Sequence, residues 1–508
     1  MRTTLPSYTL PIKKLSSLDV RNALLGPIDE KILRANMFNP ENAQNEVEFL
    51  NRKEGQTLHW NSVELTIPPT VYRPREDTQL LHDVLQTVQP FGSHRFLEIG
   101  SGSGAISIAA AQQGWTVHAC DVNPYAVAAT RFNAQQAEVE VEVDEGGLGP
   151  LQSSPAALAW TPGSYDVVVW NMPYIPLYEV QGELLGPMEE AALVDTHPEG
   201  LVTVFARWMR SGNLCTMGGI GLIVCRERTG WRRSVDVLRH HGLAARTIKR
   251  QTFSDAETIQ VVAVWHPFVL GKHHSFGEID STNAEMLRNR YHVGDSLTAM
   301  IQTAGRGRHG NNWHDHQNSF KGSWMLDPDH FPGISPRRQL QVAQEIRLAI
   351  PTQQHQDNLL LVKWPNDLLV RSEGEEQWRK YGGILFQSYS KGDEQRLVLG
   401  IGINTKQDSL NSGQGAIEEI GIRHTASELF PILNAVVASM FEKKHPAVQK
   451  QNSESTTLES MLRTCFYREK KYTVASVSMQ GLILEDDHGT KVTVEDDANL
   501  TWISLHPQ

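Results

Sequence analysis

The chain contains few cysteines and no long apolar run. Its 508 residues include four cysteines, none of which forms a C-x-x-C pair. We therefore expect reduced thiols, and neither a disulfide scaffold nor a cysteine-rich zinc site, and no metal-ligating residues are predicted. There is no run of about 18 apolar residues and no basic leader followed by an apolar segment. These absences predict a cytoplasmic protein without a membrane partner.

Basic residues are also missing between Arg131 and Arg207. The acidic residues of that interval are Glu138, Glu140, Glu142, Asp144, Glu145, Asp166, Glu179, Glu183, Glu189, Glu190, Asp195 and Glu199. The net charge of −11 argues against broad nucleic-acid binding, so no DNA partner is expected. Two interpretations of the acidic stretch remain open: a solvated face that aids solubility, or a rim that attracts a basic substrate.

The length predicts several domains, since folded domains usually hold roughly 100–200 residues. From Arg95 onward, apolar runs typical of buried parallel strands alternate with helical patterns. The predicted strands are Arg95–Ile99, Thr116–Cys120, Tyr165–Trp170, Gly219–Cys225 and Glu257–Trp265, and the predicted helices are Ala105–Gln112 and Pro124–Gln135. This order predicts a doubly wound α/β sheet whose ligand lies beyond the carboxyl ends of the strands.

A glycine-rich turn follows the first predicted strand and indicates a nucleoside cofactor. Its spacing is G-x-G-x-G, whereas a dinucleotide dehydrogenase more often carries G-x-G-x-x-G, so the spacing favours S-adenosylmethionine. Asp121 ends the second strand, where a carboxylate can accept hydrogen bonds from both ribose hydroxyls. A further strand is expected between the predicted helix Pro124–Gln135 and the strand Tyr165–Trp170, and it is counted as the third strand. Asp144, expected just after it, could hold the adenine amino group. The predicted cofactor-binding residues are Glu98, Gly100, Gly102, Gly104, Asp121, Asp144 and Asn171.

Two segments resemble HemK-type protein methyltransferases. Asn171-Met172-Pro173-Tyr174 is similar to the Asn-Pro-Pro-Tyr signature of amino-methyltransferases, with Met172 in place of the first proline. Val71–Thr78 resembles the Pro-x-Glu-Asp-Thr segment of that family. The resemblance implies a Rossmann-like, S-adenosylmethionine-dependent enzyme that methylates glutamine or lysine side chains in proteins, translation release factors among them.

The residue types at the end of the fourth strand suit methyl transfer to nitrogen. The acceptor nitrogen must aim its lone pair at the methyl sulfonium, and Asn171 can accept its N–H while Tyr174 packs on its planar group. Both residues are therefore predicted to be catalytic. Two alternatives remain open: a nucleotide-binding scaffold without catalysis, and methylation of a nucleic-acid base. The acidic stretch disfavours the second, because it would repel phosphate.

A second set of motifs begins near residue 302. In Gly305–Gly310, glycines let the backbone approach phosphate and two arginines neutralise it. Lys363–Asp367 supplies a lysine that can reach a carboxyl group. With Gly382–Leu385 and Gly400–Asn404, these motifs closely resemble biotin protein ligases across nearly the whole of residues 275–405.

This second resemblance implies a biotin/lipoate ligase-type α+β domain that uses ATP, Mg²⁺ and biotin. The implied biotin-binding residues are Ser281, Thr282, Gln302, Arg306 and Lys363, and the implied ATP or adenylate contacts are Gly305, Arg306, Arg308, Trp313 and Asn404. Lys363 and Arg308 would be catalytic. The implied partner is the biotin carboxyl carrier domain of a biotin-dependent carboxylase. Helix capping is the alternative role for Ser281 and Thr282, and lipoate is the alternative substrate.

The pattern of the C-terminal segment predicts a helix, a polar loop and several short strands with alternating polarity. The helix is predicted at Ile432–Glu442, and the strands at Lys471–Val474, Leu482–Glu485, Lys491–Val494 and Leu500–Ser504. The strands predict a small SH3-like β-barrel, with a separate interaction module as the alternative. The predicted domains are an extension (1–70), a methyltransferase (71–268), a ligase (272–430) and the SH3-like domain (460–508). A methyltransferase precedes the ligase where regulatory ligases carry a helix-turn-helix, so no repressor activity is expected.

Overall fold

The computed structural model describes most of the chain from residue 55 onward. The described residues are 55–148, 164–176, 192–227, 233–253, 257–310, 313, 316, 318–350, 357–408, 410–411, 413–443, 458, 460–495, 497 and 499–503. Most of the predicted N-terminal extension and four residues of the acidic stretch, Glu179, Glu183, Glu189 and Glu190, lie outside them. Within the described ranges, no helix combines the length and apolar character needed to cross a bilayer.

The first module opens with a β-hairpin and continues as alternating strands and helices. Its elements are β1 (Gln56–Trp60), β2 (Val63–Ile67), α1 (Glu76–Leu85), β3 (Arg95–Ile99), α2 (Ala105–Gln112), β4 (Thr116–Asp121), α3 (Pro124–Gln136), β5 (Val141–Glu145), β6 (Tyr165–Asn171), β7 (Ile175–Pro176), β8 (Val194–Asp195), α4 (Leu201–Arg210), β9 (Cys215–Arg226), α5 (Ser234–His240), β10 (Ala244–Thr252) and β11 (Thr258–Trp265).

Seven of these strands form one sheet in the order β10-β11-β9-β6-β3-β4-β5. The strands from β9 to β5 are parallel to one another, and β11 is antiparallel to both its neighbours. The predicted doubly wound sheet is therefore confirmed. The sequence did not predict β10, because its second half is polar and exposed and lacks the apolar run of a central strand.

The central strand β6 shows why its sequence reads as one apolar run. All residues from Tyr165 to Trp170 are buried. Alternate side chains point to opposite faces of the sheet, so Val167 and Val169 join one hydrophobic core while Val168 and Trp170 join the core on the other face. Helices cover both faces, which leaves the carboxyl ends of β3, β4 and β6 side by side at one edge.

The second module is a mainly antiparallel sheet covered by helices. Its elements are β12 (His273–Ile279), α6 (Thr282–Arg288), β13 (Ser296–Gln302), β14 (Ser319–Leu326), α7 (Pro336–Ala349), β15 (Leu360–Lys363), β16 (Asp367–Val370), β17 (Arg379–Lys391), β18 (Glu394–Asn404) and α8 (Ala426–Phe441). The sheet order is β12-β13-β14-β18-β17-β16-β15, and only the β12–β13 pair is parallel among these described strands. The predicted α+β class is confirmed.

The C-terminal segment forms a five-stranded antiparallel sheet in the order β22-β21-β20-β19-β23. The strands are β19 (Thr464–Tyr467), β20 (Lys470–Val477), β21 (Leu482–Glu485), β22 (Lys491–Val494) and β23 (Leu500–Trp502). The bounds of β21 and β22 are those predicted, whereas β19 was not predicted. Residues Val474, Leu484 and Trp502 share a hydrophobic core with the second module. The SH3-like barrel stays a prediction.

The first two modules pack against each other through buried polar contacts. Ser439 of α8 accepts a hydrogen bond from the backbone N–H of Ala245 at 2.9 Å, and its carbonyl accepts one from Arg246 Nε at 2.8 Å. Glu442, just after α8, accepts from the indole N–H of Trp265 at 2.7 Å. Glu345 of α7 forms ion pairs with two arginines of the first module. The connection between the modules therefore adds directional bonds to apolar packing.

The ion pairs of Glu345 predict a pH-dependent contribution to stability. Burial would raise the pKa of Glu345, but Arg233, with Nη2 3.3 Å from Oε2, and Arg239 hold that pKa well below its usual range. A carboxyl group with a lowered native pKa stabilises the fold above its unfolded pKa of about 4.3, and this stabilisation is lost as the pH falls towards the native pKa.

Glu345→Gln should therefore lower the free energy of unfolding at pH 7 by roughly 1–3 kcal/mol, because the carboxylate is a quarter exposed and the arginines lose their counter-charge. The gap between wild type and variant should narrow below about pH 4. Urea unfolding at pH 7 and pH 3 measures both values. Glu485→Gln, in an exposed pair with Lys491, is the matched control; a Glu345 gap that does not depend on pH would contradict the prediction.

Candidate active sites

The first candidate site is a cavity at the carboxyl edge of the first module's sheet. Its volume is about 610 Å³, which lies within the usual range for small-molecule sites, roughly 300–1,000 Å³. Its lining comes from the ends of β3, β4 and β6, from the segment before α1 and from residues after β5. The cavity therefore lies beyond the carboxyl ends of the strands, where the sequence pattern predicted a ligand.

The glycine-rich turn after β3 lines this cavity. Gly100 and Gly102 line it and have φ angles of +70° and +54°, a conformation that side chains disfavour. The backbone N–H of Gly102 donates to Asp121 Oδ2 at 2.8 Å, so the turn and the end of β4 hold each other. Gly104 does not line the cavity. It also has positive φ, and a Cβ there would lie 2.9 Å from Thr130, so Gly104 serves helix packing.

Two carboxyl groups line the same cavity: Glu98 is buried and Asp121 is partly exposed. Burial raises the pKa of Glu98 to about 8, although the hydroxyl of Ser107 donates a hydrogen bond to it. Burial also raises the pKa of Asp121, against backbone N–H groups of Asn123 and Gly102 that favour its charged form. A cationic ligand would lower both pKa values, because opposite charge favours ionisation. These two groups fit a cofactor that carries positive charge and ribose hydroxyls.

The structure corrects the position predicted for Asp144 relative to its strand. This residue lies within β5 rather than after it, and its Oδ2 atom is 2.9 Å from His118 Nε2. Among the described residues that line the cavity, Asp144 is absent, and Gly146, Gly147 and Leu148 take the place expected for it. The predicted position was wrong because β5 extends to Glu145, two residues beyond its apolar residue Val143, and the contact of Asp144 with adenine stays a prediction.

The acidic residues of this stretch that the structure describes do not form one surface. Asp166 is 5% exposed, and its Oδ2 accepts hydrogen bonds from Ser93 Oγ and from the backbone N–H of Ser93 and Arg95. Asp195 accepts from the backbone N–H groups of His197 and Leu201 and so holds the turn before α4. These two carboxylates have structural partners, whereas Glu138, Glu140 and Glu199 are exposed.

Asn171, the last residue of β6, and Tyr174 also line this cavity, and β6 lies next to β3 in the sheet. The Nδ2 group of Asn171 donates to Asp77 Oδ2 at 3.0 Å. Its Oδ1 atom is buried and has no hydrogen-bond partner among the described residues. Burial and the nearby Asp77 raise the pKa of Tyr174 well above its usual value, so its hydroxyl stays neutral. The wall therefore presents a buried acceptor oxygen beside a neutral aromatic ring.

Sequence reasoning missed several residues of this cavity. Tyr72, Asp77 and Thr78 line it, although only their segment was singled out and not the residues themselves. Glu257, next to β11, also lines it and carried no motif. Met172, the departure from the signature, is 2% exposed and packs with Trp170 and Phe205 in the core. An apolar side chain is therefore buried in the core at the position where the signature has proline.

The second candidate site is a cavity of about 590 Å³ in the second module. It lies over the middle strands of the sheet, beside the start of α6 and the loop between β13 and β14. Its described lining residues include Ser281, Thr282, Gln302, Arg306, Arg308, Trp313, Lys363 and Asn404. The structure thus brings together all the predicted ligase residues except Gly305, which does not line the cavity.

One end of this cavity is neutral and polar. Ser281 caps α6, with its hydroxyl accepting from Ala284 N–H at 3.4 Å. Both the backbone N–H and the hydroxyl of Thr282 donate to Gln302 Oε1, at 2.8 and 3.1 Å. Ser323 Oγ lies 2.7 Å from Thr282 Oγ1 and 2.6 Å from Asn283 Oδ1. The network holds uncharged donors and acceptors in fixed positions, while Ser281 also has the capping role that was the alternative.

The other end is cationic. Lys363 Nζ lies 3.1 Å from Asp367 Oδ2, and Lys380 Nζ lies 2.6 Å from Oδ1 of the same carboxylate. Burial would raise the pKa of Asp367, but Lys380 and Lys363 lower it, so the carboxylate is charged between two ammonium groups. Lys380 also lies 5.7 Å from the ring centroid of Trp313. Sequence reasoning missed Lys380, although it stands two residues before the quoted Gly382–Leu385 motif.

Arg308 connects this end to the C-terminal sheet. Its Nη1 atom lies 3.0 Å from Asp497 Oδ1, and both side chains are less than a fifth exposed. Asp497 lines the cavity, so the C-terminal segment contributes directly to it. The sequence contained no signal for this contact.

Trp313, Gly305 and Asn404 complete the site. Trp313 donates its backbone N–H to the carbonyl of Gly305 at 3.0 Å, and a Cβ on Gly402 would lie 2.6 Å from the indole. The ring therefore rests on a strand that must carry glycine. Asn404 donates to the carbonyl of Gly415 at 3.1 Å, and its buried Oδ1 has no partner within the described part of the chain. This oxygen could accept a hydrogen bond from an amino group of a ligand.

Comparison with known proteins assigns a class to each module. Residues 97–172 match a family described as a methyltransferase domain, and residues 276–404 match the biotin/lipoate A/B protein ligase family. A release factor glutamine methyltransferase of Deinococcus radiodurans is 32% identical over 23% of this chain and 41% of its own length. The bifunctional ligase/repressor BirA of Bacillus spizizenii is 32% identical over 28% of this chain and 43% of its own length. The chain thus spans less than half of each of these relatives.

Among solved structures, biotin protein ligase from Aquifex aeolicus in complex with biotin and ATP is 21% identical, with a TM-score of 0.35. The match covers 45% of this chain and 97% of that chain. The family matches confirm the predicted fusion: the chain joins a methyltransferase domain to a biotin/lipoate ligase-family domain.

Proposed function

We propose that this chain, a methyltransferase domain joined to a ligase domain, biotinylates a carrier protein and methylates a protein side chain. For the ligase, the observation that carries the proposal is the polarity of its cavity. A neutral network of hydroxyls and amides at one end suits the ureido ring of biotin, and the cations at the other suit a carboxylate beside phosphate.

In the proposed ligase reaction, a carboxylate oxygen of biotin attacks the α-phosphorus of ATP and pyrophosphate leaves. Lys363 holds the carboxylate and stabilises the charge that develops at the phosphorus. The amine of a lysine on a biotin carboxyl carrier domain then attacks the activated carbonyl, and AMP leaves. Magnesium would enter with the nucleotide, and the described residues contain no cluster of three metal-ligating side chains.

Substrate choice tests the ligase proposal. The purified full chain is incubated with MgATP and either biotin or lipoate, and pyrophosphate release is measured in each case. Biotin should support release and the labelling of a biotin carboxyl carrier domain. Release with lipoate alone would contradict the assignment of biotin.

Another prediction concerns the arginine-containing loop Gly305–Gly310. Arg308→Gly removes the side chain that pairs with Asp497 and would contact the adenylate, so the loop should close less often and the activated biotin should escape faster. Labelling of lysines on an added bystander protein should rise several-fold, as detected by avidin blot. Arg423→Gly, at an exposed position, is the control. Bystander labelling at the wild-type level, with adenylate synthesis intact, would show that the loop does not retain the intermediate.

For the methyltransferase, the observation that carries the proposal is Asn171 Oδ1, buried in the cavity wall without a partner among the described residues. An unpaired buried acceptor is costly, roughly 1–3 kcal/mol, so a site retains one where a ligand donates to it. An amide or amine N–H of a glutamine or lysine acceptor would do so. S-adenosylmethionine, when bound, supplies the methyl group.

The residues around Asn171 support this assignment. Tyr174 offers a neutral ring for a planar amide, and Glu98 and Asp121 offer carboxyl groups for the cofactor's charge and ribose. The similarity to a release factor glutamine methyltransferase favours a release factor as acceptor.

Labelled S-adenosylmethionine tests the methylation proposal. The full chain is incubated with unmethylated release factor, with a lysine-rich protein or with DNA, and the modified residue is identified by mass spectrometry. Label on glutamine or lysine supports the proposal and selects between the two. Label on DNA alone would contradict it.

A further inference from the structure

Asp77, in the first turn of α1, connects the segment before that helix to the end of β6. It is 4% exposed. Its Oδ1 accepts from the backbone N–H of Thr78 at 2.6 Å. Its Oδ2 accepts from Asn171 Nδ2 at 3.0 Å and from the hydroxyl of Tyr72 at 3.3 Å. All three partners are donors, so the position requires a group that only accepts.

This requirement fixes the orientation of the Asn171 amide. An amide has an amino side that donates and a carbonyl side that accepts, and only the amino side can face a carboxylate. With Nδ2 held by Asp77, Oδ1 must point away from it. That oxygen is the buried atom with no partner among the described residues. If the amide were reversed, the carbonyl would face a carboxylate and the cavity would present a donor instead.

We infer that Asp77 is a positioning residue for methyl transfer, acting through Asn171 by holding its carbonyl towards the acceptor nitrogen. The inference rests on the proposed methyl transfer and adds a residue to it. A reversed amide would meet the acceptor N–H with N–H, which loses the hydrogen bond and adds repulsion. Asp77 therefore selects an acceptor that donates, as the amide of glutamine or a neutral amine does.

Kinetics of Asp77 variants test this role. Asp77→Ala should lower kcat about tenfold or more, because the amide no longer has a preferred orientation. The KM for the protein acceptor and the affinity for S-adenosylmethionine should stay within about twofold. Asp77→Asn keeps the volume and an acceptor oxygen but tolerates both orientations of Asn171, so its kcat should lie between those of Asp77→Ala and wild type. Asp83→Asn removes a carboxylate from the same helix and should have no effect.

A double-mutant cycle separates positioning from general damage. If Asp77 acts only through Asn171, then Asp77→Ala introduced into Asn171→Ala should change kcat less than about twofold further. An equal loss in both backgrounds would overturn the inference, as would an unchanged kcat in Asp77→Ala. Should Asp77→Ala fail to fold, the same cycle with Asp77→Asn decides the question.

A readout without methyl transfer keeps this inference separate from the proposed function. In protein labelled with ¹⁵N-asparagine, the side-chain amide signals of Asn171 are assigned by their loss in Asn171→Ala. These signals should shift in Asp77→Asn and not in Asp83→Asn. If wild type methylates no protein, the proposed function fails, and the amide signals still decide whether Asp77 orients Asn171. Unshifted signals would overturn the inference.

Discussion

Lys363→Ala should reduce biotin-dependent pyrophosphate release by about 10²- to 10³-fold. Its side chain is 18% exposed and lines a cavity together with Lys380 and Arg308, and the loss of one such cation leaves the developing charge at phosphorus less stabilised. The fold should persist, because Asp367 keeps Lys380 at 2.6 Å as its counter-ion. ATP–pyrophosphate exchange in the presence of biotin measures the effect.

Two controls make the Lys363 result specific. Lys391→Ala removes an exposed lysine at the far end of β17 and should leave exchange unchanged. Binding of S-adenosylmethionine to Lys363→Ala reports whether the first module is intact. Exchange at the wild-type rate in Lys363→Ala would remove this lysine from the adenylation step.

Asn171→Ala should lower methyl transfer about 10²-fold or more while leaving S-adenosylmethionine affinity nearly unchanged. Asn171 presents the buried acceptor oxygen at the end of β6, whereas Glu98, Gly102 and Asp121, which also line the cavity, belong to β3, to the turn after it and to β4, the proposed cofactor side. Losing the group that orients the acceptor should therefore affect turnover rather than cofactor binding. Initial rates with labelled cofactor, and calorimetric titration of the cofactor, measure the two quantities.

The control for Asn171 comes from the other edge of the same sheet. Asn213 is exposed just before β9 begins, and so lies away from the carboxyl ends of the strands. Asn213→Ala should have wild-type rates. A loss of cofactor affinity in Asn171→Ala equal to its loss of rate would indicate that Asn171 binds cofactor instead of orienting the acceptor.

The sequence predicted those parts of the sites that depend on short segments. The turn at Gly100 and Gly102, the strand before it and the carboxylate of Asp121 follow from local periodicity and from strand ends that meet at one edge. The ligase residues Lys363 and Arg308 stood in motifs whose residue types already suggested phosphate and carboxylate. In each case the chemistry and the backbone conformation are set by neighbours in the chain.

The contacts that the sequence did not predict are long-range or depend on an exact strand end. Arg308 and Asp497 are separated by 189 positions, and no local pattern links them. Lys380 carried no motif of its own, and the pairing of β16 with β17 brings it beside Asp367. Asp144 was misplaced because burial of alternate residues on β5 gives no signal for where the strand stops. The Arg308–Asp497 contact, the position of Lys380 and the end of β5 all depend on how distant parts of the chain pair in the fold.

The buried polar contacts between the first two modules affect how a bound ligand changes the stability of the chain. The guanidinium of Arg246 bonds to carbonyls of Ser439 and Glu442, so opening one module exposes charged groups that the other had satisfied. We therefore expect the two modules to unfold together, so that a ligand that stabilises one module also stabilises the other by mass action. Under the proposed function, biotin bound by the ligase domain should therefore also raise the free energy of unfolding of the methyltransferase domain, which does not contact biotin.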